Sequence, residues 1–197
     1  MKKGIPFALR TETPADIADF VNNNFREIFE ERAGGYTLEE LDDRYLNDNS
    51  MVQIVHSQTG AVATGTTAIP YDDTIPQQTE GDEYLTVSIT PHNSDNILII
   101  NVLLVGSLND THHVLVALFK DATANAIAAT LSYSTVLNTT YIWRLRHKMV
   151  AGTTNQITFK VRAGTSTDGT FTFNGAIGSR LLGGVIPSQI SIVEYST

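Results

Sequence analysis

Cysteine is absent from the 197-residue chain. That excludes disulfides, thiolate metal ligands and a thiol nucleophile, and it leaves the redox compartment unreadable. Charge is scarce too: Asp, Glu, Lys and Arg make up 17% of the residues, against about 25% in ordinary soluble domains. Basic charge is the scarcer kind, with 13 Lys and Arg against 21 Asp and Glu and a net charge of −8. Phosphate affinity comes from Lys and Arg, so no nucleic-acid partner is expected. No long apolar run is present. The richest aliphatic stretch, Asn96–Gly106, is well short of the ~20 apolar residues a membrane-spanning helix needs, so no membrane insertion is expected. The start is basic, Met1-Lys2-Lys3, but the apolar part after it is short and Arg10 interrupts it. We therefore expect no targeting segment.

What is present points to β structure. Asn96–Gly106 reads Asn-Ile-Leu-Ile-Ile-Asn-Val-Leu-Leu-Val-Gly, between turn-forming Pro91–Asp95 and Ser107–Asp110. Its length and β-branching predict a central strand that is apolar on both faces. From Met51 onward the period is 2. Strands are expected at Met51–His56, Ala61–Ile69, Glu83–Thr90, Thr111–Lys120, Ala126–Thr135, Thr140–Val150, Asn155–Arg162, Thr170–Ile177, Ser179–Val185 and Gln189–Tyr195. Alanine-rich Ala122–Thr130 could also be helical in isolation. Nine to eleven short strands at this spacing predict a mainly β fold, an antiparallel, jelly-roll-like β-sandwich over 51–197.

Residues 1–50 differ in composition. They hold a little over half of the acids and the one convincing helix pattern. Thr13 can cap, Pro14 suits the first helical position, and Asp16 sits near the positive end of the dipole. The helix is expected to run to about Arg32 and to stop at Gly34-Gly35. Ile17, Val21, Asn24 and Ile28 have coiled-coil spacing and form a candidate trimer seam, with Asn24 able to set register. The alternative is that this helix packs on its own domain. A short second helix, opened by the Thr37…Glu40 capping box, is expected to reach about Leu46.

No catalytic constellation emerges. His112 and His113 are adjacent, so on a strand they point to opposite faces and cannot share one metal. His56, His92 and His147 are scattered. Asp72, Asp73, Glu80, Asp82 and Glu83 form the densest acidic cluster of the β part, without the Asp-x-Asp-x-Asp-Gly order of a calcium loop. We expect a solvated acidic loop, paired with Arg144, Arg146 or Lys148. The same carboxylates could serve glycoside hydrolysis only if folded to the right separation. Phe173–Gly184 is glycine-rich but follows no strand-to-helix transition, so its glycines are expected to mark bulges or close backbone approach. No catalytic residue, cofactor site or metal site is therefore assigned. Tyr141 and Trp143, two apart on one strand, form a candidate receptor platform. The competing reading is core packing, because Leu145 and Met149 share that face.

Three stretches carry a resemblance. They are Thr64–Tyr84, Ala151–Thr154 leading into Phe159–Gly164, and Phe173–Gly184 continuing to Ile190–Tyr195. Together, over about residues 62–196, they resemble a β-sandwich domain at the C-terminus of tailed-bacteriophage tail fibres and other virion appendages. Val21–Phe29 and Leu41–Leu46 also look like segments common in phage fibre proteins. The resemblance implies a non-enzymatic structural protein on the particle exterior: a homotrimeric tail fibre or short appendage. Residues 1–50 would serve attachment to other virion proteins and oligomerisation. The knob at 51–197 would bind a host-cell surface glycan or protein. A head fibre or capsid decoration protein is the alternative, and a glycan depolymerase a further one. The chain departs from long fibres in being short, with no shaft repeat.

Overall fold

The computed structural model describes residues 50–197. In chain order the strands are β1 (Met51–Thr59), β2 (Ala63–Gly65), β3 (Asp82–Ile89), β4 (Ile97–Leu108), β5 (His113–Lys120) and β6 (Ala128–Tyr133). They continue as β7 (Thr140–Val150), β8 (Ile157–Thr165), β9 (Phe171–Phe173), β10 (Gly175–Ala176), β11 (Ser179–Arg180) and β12 (Ser188–Tyr195). The seam residues Ile17, Val21, Asn24 and Ile28, and the two helices expected in residues 1–50, lie outside the described residues.

Eight of the strands build two antiparallel sheets. The larger runs β1-β12-β4-β7 and the smaller β3-β8-β5-β6. β9 pairs with the end of β4 beyond β12, and β2 pairs with β9. The sheets face each other, with β1 and β12 against β3 and β7 against β6. This is the eight-strand jelly-roll arrangement, as the strand pattern predicts.

β4 is the central strand expected from Asn96–Gly106. It pairs with β12 on one side and with β7 on the other along nearly its whole length. Its inward row, Leu98, Ile100, Val102 and Leu104, is buried against Leu118, Phe159 and Val161 of the smaller sheet. Each such side chain contributes about 1.5–3 kcal/mol by leaving water. The other face of β4 is half-buried from Ile97 to Leu103 and buried at Val105 and Ser107, so burial on both faces holds only for the strand's second half. Gly106 interrupts the row before Leu108 because a Cβ there would fall 2.3 Å from the Phe171 ring.

β5 is the strand buried on both faces. Its outward Leu115, Ala117 and Phe119 pack with Ile69 in a second small core. The loop over residues 66–81 provides that cover. Ile69 N–H donates to Thr165 O (2.9 Å) and Gly81 N–H to Ala68 O (3.1 Å). Arg162 donates to the carbonyls of Glu80 (2.9 Å) and Gly81 (2.7 Å).

Some expected elements are absent. Ala61–Ile69 keeps only the short β2, because its later residues form the covering loop. Ala122–Thr130 is not helical: Ala126 N–H bonds Pro76 O and β6 begins at Ala128. Ser179–Val185 is a strand only to Arg180. Leu182 (φ 44°) and Gly183 (φ 67°) turn left-handed, a region a ladder strand does not visit. Arg180 is exposed and needs no buried partner.

Trp143 stands in the core at 3% exposure, its ring edge-on to Phe171 with centroids 5.6 Å apart. The face of β7 shared by Tyr141, Trp143, Leu145, His147 and Met149 points inward, so Trp143 offers no platform to a ligand. Tyr141 is half-buried, and its hydroxyl accepts the Thr135 N–H (3.3 Å).

One end of the sandwich is closed by a buried carboxylate. Glu194 accepts hydrogen bonds from Gln53 Nε2 (2.5 Å), Asn96 Nδ2 (2.6 Å) and the His92 backbone N–H (2.8 Å). It thereby ties β1 and β12 to the turn before β4. Burial pushes its pKa up, but the bonds from Gln53, Asn96 and His92 outweigh that and hold it at about 2, below the ordinary 4.5. A carboxyl depressed on folding stabilises above its unfolded pKa, and the contribution fades as pH falls through the folded value. Urea unfolding should therefore show a loss approaching about 3 kcal/mol between pH 4.5 and 2. Glu194→Gln, which turns an amide N–H toward donors, should flatten that pH dependence and lower stability at pH 7. Trp143→Ala should cost about 3–5 kcal/mol in the same assay, as a large core truncation does.

Candidate functional site

The outer face of the larger sheet holds the most distinctive surface. Directly paired residues of antiparallel strands share a face. The register sets Arg146 beside Asn101, Ser191 and His56, in that order across β7, β4, β12 and β1. The next row is Arg144, Leu103, Gln189 and Gln58, and the row on the other side is Lys148, Ile99, Val193 and Ile54. Strand geometry spaces Arg144, Arg146 and Lys148 about 6.6–7 Å apart along one edge, and all three are exposed. A shallow depression of about 400 Å³ lies among Asn101, Leu103, Arg144, Arg146, Gln189 and Ser191. Gln189 Oε1 lies 3.3 Å from His56 Nε2. No Asp or Glu stands on these three rows.

The expected pairing of the acidic loop with these cations does not form. Glu83 lies 3.7 Å from Arg162 on the smaller sheet. Asp72 accepts the Thr74 backbone N–H (2.8 Å) and its hydroxyl, bonds that lower its pKa. Glu80 accepts the Gln77 N–H (2.9 Å), and Asp82 takes the Thr67 N–H (3.1 Å) and hydroxyl (2.9 Å). These carboxylates shape the loop that covers β5.

The histidines are dispersed. His92 and Glu194 approach to 3.2 Å, and His112 and Asp110 to 3.3 Å. His113 stacks on Tyr71, with centroids 3.9 Å apart. Among the described residues no three His, Asp or Glu side chains gather as a metal site.

A second surface lies on the outer face of the smaller sheet. Exposed Tyr133 meets His113 edge-on at 4.9 Å, so Tyr71, His113 and Tyr133 form one aromatic cluster. Leu131, also exposed, shares the β6 face with Tyr133 and pairs with Leu115. A third apolar group, Ile177, Leu182 and Val185, projects from the turns around β10 and β11. The sequence reading missed the last two surfaces. Tyr71, His113 and Tyr133 are far apart in the chain, and Ile177–Val185 reads as strand. Alternating Arg144, Arg146 and Lys148 were visible, but their neighbours on β4 and β12 were not.

No curated protein matches the chain. Similar solved structures include the C-terminal domain of EclA, a sugar-binding protein, at 18% identity and TM-score 0.36, over 67% of this chain and 80% of that one. Bacillus endospore appendages match at 13% identity and TM-score 0.29, over 76% and 95%. Infectious bursal disease virus, Gt strain, matches at 12% identity and TM-score 0.36, over 75% and 39%. No functional weight rests on likenesses this distant. The family comparison is decisive where these are not, and it assigns a different family from the phage fibre domains the sequence resembles: residues 67–197, nearly the whole jelly roll, match the Pgp3 C-terminal domain, and the chain belongs to that family.

Proposed function

We propose that this protein is a non-catalytic structural subunit of a tailed-phage particle. It is a homotrimer, attached to other virion proteins through residues 1–50, whose jelly roll forms an exterior knob that binds the host surface. The observation that carries this reading is the apolar surface left on the described protomer. Tyr71 of the covering loop, Leu131 and Tyr133 of β6, and Ile177, Leu182 and Val185 at the turns, are each at least 48% exposed. Monomers rarely expose grouped apolar side chains, and symmetric association covers them. The stretches that resemble fibre knobs fall on the covering loop, on β8, and on the run from β9 to β12. The acidic loop's carboxylates are spent on local hydrogen bonds, which supports a binding role over glycan cleavage. A head fibre or capsid decoration protein is the second reading, since the same grouped apolar side chains could seat the knob on a capsid surface.

Light scattering on the purified full chain should give three times the 21.5 kDa protomer mass. The pair Leu131→Glu and Tyr133→Glu should shift that mass toward the protomer while keeping a β-type circular dichroism spectrum. A wild-type protomer at micromolar concentration would overturn the trimer. Labelled protein should coat host cells. Particles that retain the protein on the capsid, with no cell binding by the free protein, would favour the decoration reading.

A further inference from the structure

The cationic face of β7 has a use that the assembly reading leaves open. Residues 51–197 contain Lys120, Arg144, Arg146, Lys148, Lys160, Arg162 and Arg180 as their Lys and Arg. Three of these occupy alternate positions of one strand. Like charges at this spacing on a wet face repel weakly, and an anion seated among them would turn that repulsion into attraction. The ion pairs found among the described residues join His92 to Glu194, His112 to Asp110 and Arg162 to Glu83. None neutralises the stripe. Beside it lies the depression, floored by Asn101, Gln189 and Ser191 with Leu103 between them. The site thus offers two guanidiniums that can grip a carboxylate with paired bonds, and amide and hydroxyl groups suited to sugar hydroxyls.

We propose that this face binds an acidic oligosaccharide whose sugars carry carboxylates, lying across β7, β4 and β12 with its carboxylates on Arg144 and Arg146 and its hydroxyls on Asn101, Gln189 and Ser191. The proposal deepens the host-surface reading by naming its site and ligand chemistry. Nucleic acid fits less well. Duplex binding draws on about 6–10 phosphate contacts, and the stripe supplies three cations. Single strands need aromatic stacking platforms, and the three rows carry none beyond the His56 ring.

The test is calorimetric titration of the full chain with an oligogalacturonate of about six sugars, beside maltohexaose and a poly-glutamate of equal charge. Oligogalacturonate should bind, and more weakly at 500 mM than at 50 mM NaCl, because exposed charges are screened. The double variant Arg144→Gln, Arg146→Gln should raise Kd at least about tenfold, the loss expected on removing charge-assisted bonds. Lys160→Gln, on the other sheet, should leave Kd unchanged. Circular dichroism checks that each variant is folded. Absence of binding at millimolar oligogalacturonate, equal affinity for maltohexaose or poly-glutamate, or an unchanged Kd in the arginine variant would each overturn the proposal. The titration needs no particle or host cell. Persistent cell binding alongside a negative titration therefore sinks the site and spares the knob.

Discussion

The fold depends on the inward row of β4. Leu98, Ile100, Val102 and Leu104 are covered from both sides by ladder partners and from below by the smaller sheet. Every strand of the larger sheet takes its facing from that row. A register slip of one residue on β12 or β7 would turn its apolar set outward. On β7 the slip would also drive Arg144, Arg146 and Lys148 into the core, where an unpaired charge is prohibitively costly. The apolar inward row and the charged outward row of β7 therefore enforce the same register from opposite sides.

The two sheets meet their outer-face problem differently. The smaller one buries the outward side of β5 beneath the loop over 66–81, held by Arg162 and by backbone bonds to β8. That cover stops short of β6, where Leu131 and Tyr133 stay exposed. The larger one leaves its outer face open, mixed in polarity and edged with cations. A jelly roll with apolar surfaces on the smaller sheet and at the turns and a cationic surface on the larger sheet is suited to association through the first two and to ligand contact through the third. Membership of the Pgp3 C-terminal domain family accounts for the β part of the chain and leaves those surface roles to be read from the residues themselves.

Buried polar groups do specific work at the ends of the sandwich. Glu194 is the clearest case: its charge is tolerable at no exposure because donors from β1 and from the turn before β4 converge on it. Asn174, left-handed at φ 53°, reaches back to the carbonyls of Thr59 and Ala61 and accepts from Ser188. It secures the irregular run after β9 to the start of β12. These bonds join residues up to 141 positions apart, so no local pattern announces them.

The alternation of side chains is a local property, and the chain itself settled whatever rests on it. The longer strands of 51–197, the central place of Ile97–Val105, the opposed faces of β7 and the sandwich class are of this kind, because a period of 2 is imposed by the backbone wherever an extended chain has one wet face. Partnership is not local. Which acid meets which cation, which loop covers β5, and which amides stand beside Arg144 and Arg146 were decided only when distant strands took their register. The stretch from Phe173 to Val185 was decided there too. Its left-handed turns at Ile177 and Leu182 go against residue preference and can be held only by the packed structure around them.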